Sequence, residues 1–167
     1  DYQKHRGVSL TPEEDRAALE IIRHRRLIEM VLHEVLGYPW DEVHDEAERL
    51  ENVISENLEE RIAKVLGDPT HDPHGDPIPT RDLQIPPACV TRLSELRPDQ
   101  HAVVVRVHDS DSDFLRHLGE LGLKPETKVS ILEHSPFDEN LKIQDNGQSA
   151  PVVLGRKITQ EVFVGHP

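Results

Sequence analysis

The sequence predicts an α+β protein in which a helical segment is followed by a small β-barrel. Three observations carry that expectation. Apolar residues recur at helical spacing as far as Leu66. A stretch rich in Pro, Asp and Gly then fills residues 68–87, and beyond it short Val, Ile and Leu runs are separated by turn signals. Residues 1–10 are polar, contain Gly7 and read as loop or edge strand.

The first helix opens on Thr11-Pro12-Glu13-Glu14: Thr11 caps, Pro12 suits the first helical position and Glu14 closes a capping box. Ala18, Ile21, Ile22, Ile28, Val31, Leu32, Val35 and Leu36 follow at helical spacing until Gly37 and Pro39 end it. A second helix is expected from about Pro39 to Ile54, with Val43, Ala47, Leu50 and Ile54 inward and Trp40 packed at its start. Ser55 caps a third, whose expected inner face is Leu58, Ile62, Val65 and Leu66, with Gly67 just past its end.

The stretch DPTHDPHGDPIPTRDLQIPP cannot hold a helix and reads as a stiff linker; its His71 and His74 could bind metal but read more simply as exposed loop histidines. Strands are expected at Val103–Val107, Val129–Leu132, Leu141–Ile143, Val152–Leu154 and Val162–Val164. A short helix covers about Asp113–Glu120, and Asp145-Asn146-Gly147 forms a hairpin turn. So many short strands suit a small barrel.

With 19 basic and 32 acidic residues the formal net charge is −13, which opposes contact with a polyanion and predicts a poor DNA binder. The single Cys89 excludes an internal disulfide framework, reads as a small buried hydrophobe, and fits a reducing cytoplasm. No apolar run approaches the length of a membrane span. The opening Asp1-Tyr2-Gln3 has neither an initiator Met nor an apolar leader, as expected of a piece of a longer protein.

The second helix carries the most informative residues. His44, Glu48 and Glu51 stand at i, i+4 and i+7, within one narrow stripe of a helix. An imidazole and two carboxylates so placed suit a divalent cation that accepts nitrogen and oxygen ligands. The same stripe also suits a solvated acidic face, with Glu48 paired to a nearby Arg. On the first helix, Arg25 and Glu29, or Glu29 and His33, form i, i+4 pairs.

The strings RHRRLIEMVLHEVLGYPWDEVHDEAERLENVIS and GDPTHDPHGDPIP resemble the diphtheria-toxin-repressor family of metal-dependent regulators. YQKHRGVSLTPEE is similar to the end of that family's winged helix, and RVHDSDSDFLRHLGELGLKPETKV to its C-terminal SH3-like domain of the ferrous-iron-transport-A type. The resemblance implies a winged-helix remnant at 1–10, a helical dimerisation and metal-binding domain at 11–67, a linker at 68–87 and an SH3-like domain at 88–167. It also implies a cytoplasmic homodimer, with Leu50, Ile54 and Leu58 available for the interface. Duplex DNA would be bound by the intact protein and not by this stretch alone.

Carried over residue by residue, the resemblance gives Glu48 and Glu51 as primary-site metal ligands, with His44 and Glu29 in an ancillary site. Manganese sensors of the family carry Glu where this chain has Glu48 and iron sensors usually carry Cys, so the implied metal is Mn²⁺ or Fe²⁺. Two positions depart from the pattern. Asn52 stands where the primary site has His, and Arg25 stands where the ancillary site has His, with His24 beside it. Asn52 is then a weaker oxygen ligand, Arg25 a natural partner for Glu29, and His24 a ligand only if the helix adjusts. Asp109, Asp111 and Asp113 lie where some relatives donate oxygen ligands, but read here as an acidic loop at a helix start. A structural dimerisation and peptide-binding module with lost or altered metal sensing and a metal-dependent hydrolase are the alternatives; the sequence shows no nucleophile motif or phosphate loop to support the latter.

Overall fold

The computed structural model describes residues 11–108, 111–145 and 150–166. The winged-helix expectation at 1–10, the ligand question at Asp109 and the Asn146-Gly147 turn lie outside them.

Helix α1 runs Pro12–Glu34 and begins as its sequence dictates. The Thr11 side chain accepts from the Glu14 N–H, and the Glu14 carboxylate accepts from the Thr11 N–H at 2.8 Å. Helix α2 is shorter than its apolar stripe suggests, Val43–Leu50, because Pro39–Glu42 form a turn closed by Glu42 N–H to Pro39 C=O. Glu51 still donates its N–H to Ala47 C=O as the cap of α2. Helix α3, Glu56–Val65, is capped by Ser55, whose hydroxyl accepts from Leu58 N–H.

Ile28 and Leu32 of α1 pack on Val43 and Ala47 of α2, with Leu50 and Ile54 at the rim. Leu27 packs with Ala63 and Ile78, flanked by Ile62 and Leu66. The expected inner face of α3 is therefore rotated: Leu58 and Val65 are exposed, whereas Glu59 and Ala63 are buried. The cause is electrostatic. Arg23 Nε lies 2.6 Å and His24 Nε2 2.9 Å from the Glu59 carboxylate, so α3 turns this charged side chain inward.

Beyond the helices, a 3-10 turn at Leu93–Glu95 leads to β1, His101–Val107. Helix α4 (Ser112–Glu120), β2 (Lys128–His134), β3 (Leu141–Asp145), β4 (Val152–Leu154), the short α5 (Arg156–Thr159) and β5 (Val162–Gly165) follow. The strands make one five-stranded antiparallel sheet in the order β4-β3-β2-β1-β5, with register shifts in the β1–β5 and β2–β3 pairs. Val104, Val107, Val129, Ile131, Leu141, Ile143, Leu154, Val162 and Val164 fill its inner side beneath Leu115 and Leu118 of α4. Each such fully buried aliphatic side chain contributes about 1.5–3 kcal/mol.

Two features join the halves. Trp40, from the α1–α2 connection, belongs to the core of the β-region rather than to the helical core. Residues 72–79 are not a spacer across solvent: Asp72, His74, Gly75, Pro77, Ile78 and Pro79 are all buried, forming a strap between α1 and β1. Among the described residues no helix is long and apolar enough to cross a membrane.

Candidate metal centre

Glu29, about three-quarters along α1, is 1% exposed, and the strap brings Asp72 (5%) and His74 (0%) against it. One ligand atom from each lies within 4.8 Å of the others. Glu29 is on this face because Ile28 and Leu32, its neighbours on α1, pack against α2.

The strap presents its two ligands through a tight turn. Asp72 Oδ1 accepts from the N–H groups of His74 and Asp76, both at 2.9 Å, and Asp72 N–H donates to Asp76 C=O. That leaves Asp72 Oδ2 for other partners. His74 Nε2 lies 2.7 Å from Trp40 C=O, an acceptor only, so this nitrogen carries the proton and Nδ1 offers a lone pair. Glu29 Oε2, Asp72 Oδ2 and His74 Nδ1 are all buried without a hydrogen-bond partner. Burying such groups unpaired costs about 1–3 kcal/mol each, more for a charge. A divalent cation accepting oxygen and nitrogen ligands satisfies all three at once, so the donor set fits one.

The electrostatics point the same way. Asp72 is held well above the ordinary carboxylate range, first by burial and then by the negative charges of Glu29 and Asp76; the Asp76 N–H and the Arg26 guanidinium oppose the rise. Arg26 Nε is 3.5 Å from Asp72 Oδ2, and a second Arg26 nitrogen donates to Pro77 C=O.

His44 joins this centre: its Nδ1 is 3.1 Å from Glu29 Oε1. His24 does not. It stands five residues before Glu29, on another face of α1, where Nδ1 meets Glu51 C=O at 3.1 Å and Nε2 meets Glu59. Both ring nitrogens face acceptors, so His24 links α1 to α2 and α3. Arg25 does not pair with Glu29 either; its Nε lies 3.8 Å from Glu51 Oε2.

The stripe on α2 is split by burial. Glu48 and Asn52 are exposed, while Glu51 is buried and its Oε2 has no hydrogen-bond partner. No third ligand converges on Glu48 and Glu51 among the described residues. Asp111 is the N-cap of α4, accepting from Asp113 N–H at 2.9 Å, and Asp113 pairs with Arg116. Sequence reasoning missed Asp72 and set His74 aside as an exposed loop histidine, whereas it is fully buried. Their signal was a carboxylate and an imidazole two residues apart beside Gly75, which the surrounding prolines disguised as linker.

Residues 11–80 match the family described as iron dependent repressor, metal binding and dimerisation domain, and residues 91–165 match the FeoA domain. The chain is 41% identical over 145 residues to the iron-dependent repressor IdeR of Mycobacterium leprae, covering 79% of this chain and 62% of that repressor's length. It is 27% identical over 158 residues to the diphtheria toxin repressor of Corynebacterium diphtheriae, covering 89% and 69% of the two chains. Among solved structures, a manganese-dependent transcriptional repressor in complex with manganese superposes with a TM-score of 0.89 at 38% identity, covering 98% of this chain and 77% of that one. With its helical metal-binding half and FeoA-type β-half matched in order, the chain belongs to the family of iron- and manganese-dependent transcriptional repressors.

Proposed function

We propose that this chain is the metal-sensing and dimerising part of a manganese- or iron-dependent transcriptional repressor. The observation that carries the reading is the convergence of Glu29, Asp72 and His74, three buried ligand atoms without a hydrogen-bond partner. These residues would hold the ion, with His44 beside Glu29. The bound cation supplies positive charge that ties α1 to the strap. Oxygen-rich coordination with one imidazole favours Mn²⁺ or Fe²⁺ over thiophilic metals.

Glu48, Glu51 and Asn52 constitute half of a second site, completed by ligands from outside this stretch. The buried Glu51 Oε2, which has no hydrogen-bond partner, supports that reading. Dimerisation is assigned to the helical half, where Leu58, Val53 and Val65 are exposed beside half-buried Leu50 and Ile54. The whole protein would act in the cytoplasm on duplex DNA through a reading domain that precedes these residues, as a regulator and not an enzyme.

The test is calorimetric titration of chelator-treated protein with Mn²⁺. Wild type should bind at a site that Glu29→Gln abolishes and that the double change Glu48→Gln, Glu51→Gln leaves in place. Equal binding by wild type and Glu29→Gln would refute the assignment.

A further inference from the structure

The β-region contributes none of the three converging ligands among the described residues, yet it touches the metal centre on two sides. We propose that Gly75 is a positioning residue through which strand β1 sets the geometry of this centre; the inference rests on the reading of Glu29, Asp72 and His74 as ligands.

The turn 72–76 lies flat against β1. Val107 N–H donates to His74 C=O at 2.9 Å, and Arg106 reaches Asp76 at 3.2 Å while stacking on Phe163 at 3.7 Å. At Gly75 the approach is so close that a Cβ would stand 2.0 Å from Val105 O, 2.8 Å from Arg106 Cα and 2.9 Å from Val105 C. All three are main-chain atoms of a strand flanked by β2 and β5, so none can step aside. Gly75 also has φ +90°, a conformation that suits only Gly well.

On the opposite side, the Trp40 carbonyl that fixes the His74 tautomer belongs to a residue whose indole is sunk in the β-region core. Gly119 approaches that indole closely, and Lys124 lies over it. His74 is thus held by the β-region through both its main chain and its ring, whereas Glu29 is held by helix packing. The distance between the two ligand groups follows from how closely the strap can approach β1.

A methyl at position 75 forces the turn back by about 1 Å before its nearest contact reaches even 3.0 Å. Metal–ligand distances tolerate only about 0.2 Å. Gly75→Ala should therefore weaken Mn²⁺ binding by about 10–100-fold, the scale seen when groups that orient ligands are changed. Gly155→Ala is the control, since its Cβ meets only Asn140 Oδ1 at an ordinary 3.7 Å.

The experiment titrates wild type, Gly75→Ala, Gly155→Ala and Glu29→Gln with Mn²⁺ alone. It also measures amide exchange over residues 101–108 with and without the ion. Wild type should bind in a Glu29-dependent way, with Mn²⁺ slowing exchange across β1; Gly155→Ala should match it, and Gly75→Ala should lose both affinity and the metal-dependent slowing. If wild type binds no better than Glu29→Gln, the ligand assignment and this inference fall together. If Glu29-dependent binding is intact in wild type and unchanged in Gly75→Ala, the inference alone falls. Should Gly75→Ala not fold, Arg106→Gln decides, because it detaches Asp76 from β1 without pushing the strap: several-fold weaker binding with less slowing supports the coupling, and unchanged binding and slowing refute it.

Discussion

Replacing Asp72 by Asn removes one negative charge from the centre while keeping its shape. The retained Oδ1 still accepts from His74 and Asp76, so the turn survives. In place of Oδ2, an oxygen buried without a hydrogen-bond partner, an amide N–H₂ faces the Glu29 side of the cluster as a donor. Without metal, the substitution relieves the burial and the repulsion from Glu29 and Asp76 that raise the Asp72 carboxyl, and gives up its attraction to Arg26. Relief of a buried oxygen that lacks a hydrogen bond is worth on the order of 1–3 kcal/mol. The sign against pH follows from the raised folded value. Folded apo-protein holds the Asp72 proton more tightly than the unfolded chain, so that contribution is fully present below the unfolded value near ~3.9 and is lost as pH rises through the folded one. Each unit of elevation costs the wild-type apo-protein about 1.4 kcal/mol once the group has ionised. Chelator-treated Asp72→Asn should therefore be the more stable protein at neutral pH. Its advantage should grow as pH rises from about 4, and it should melt higher by roughly 2–4 °C per kcal/mol in a chain of this length. With Mn²⁺ the order reverses, because the amide is a neutral ligand: affinity should fall by at least about 100-fold, beyond the loss caused by disturbing a group that only orients a ligand. Thermal denaturation with and without Mn²⁺, run alongside calorimetry, reads both signs. A destabilised apo-protein with unchanged Mn²⁺ affinity would refute the reasoning and make Asp72 a turn former only.

His24→Ala should leave Mn²⁺ stoichiometry at the Glu29 centre unchanged while destabilising the fold by about 1–3 kcal/mol, because it strands Glu59 beside Arg23 and empties a link between helices; calorimetry and denaturant melts check it. Trp40→Ala should cost about 3–5 kcal/mol, as for a buried aromatic residue in a close-packed core, measured by chemical denaturation followed by circular dichroism. Glu48→Cys should raise affinity for Zn²⁺ and Cd²⁺ relative to Mn²⁺ in competition titrations, since a thiolate is softer than a carboxylate. Leu58→Glu should shift sedimentation toward monomer if the exposed apolar side of α3 is an interface, because a charge there would have to be buried on association.

Local chemistry was the legible part of the fold. The Thr11 box, the Ser55 cap and the β-rich C-terminal half each follow from residues adjacent in sequence. The inner face of α3 was not legible. Periodicity assumes that charged residues face water, and Glu59 faces Arg23 and His24 instead. Glu29 and His44 stood out by residue type at helical spacing and do meet. Asp72 and His74 did not stand out, because a segment that cannot form helix or strand gives no periodicity from which to infer burial. Their burial comes from flush packing on β1, which depends on residues some thirty positions downstream.

The placement of Trp40 has a consequence for modularity. Residues 91–165 match a domain type in their own right, yet the indole that completes their interior comes from position 40, between two helices. Excised at the boundary that sequence comparison suggests, the β-region would carry a hole where the indole sits, and α4 and Lys124 would lose the ring they cover. Grafting it onto the helices of another repressor would succeed only where the recipient offers an aromatic side chain at the matching place. The unit that is recognisable by sequence and the unit that folds therefore differ here by one residue contributed from the other half of the chain.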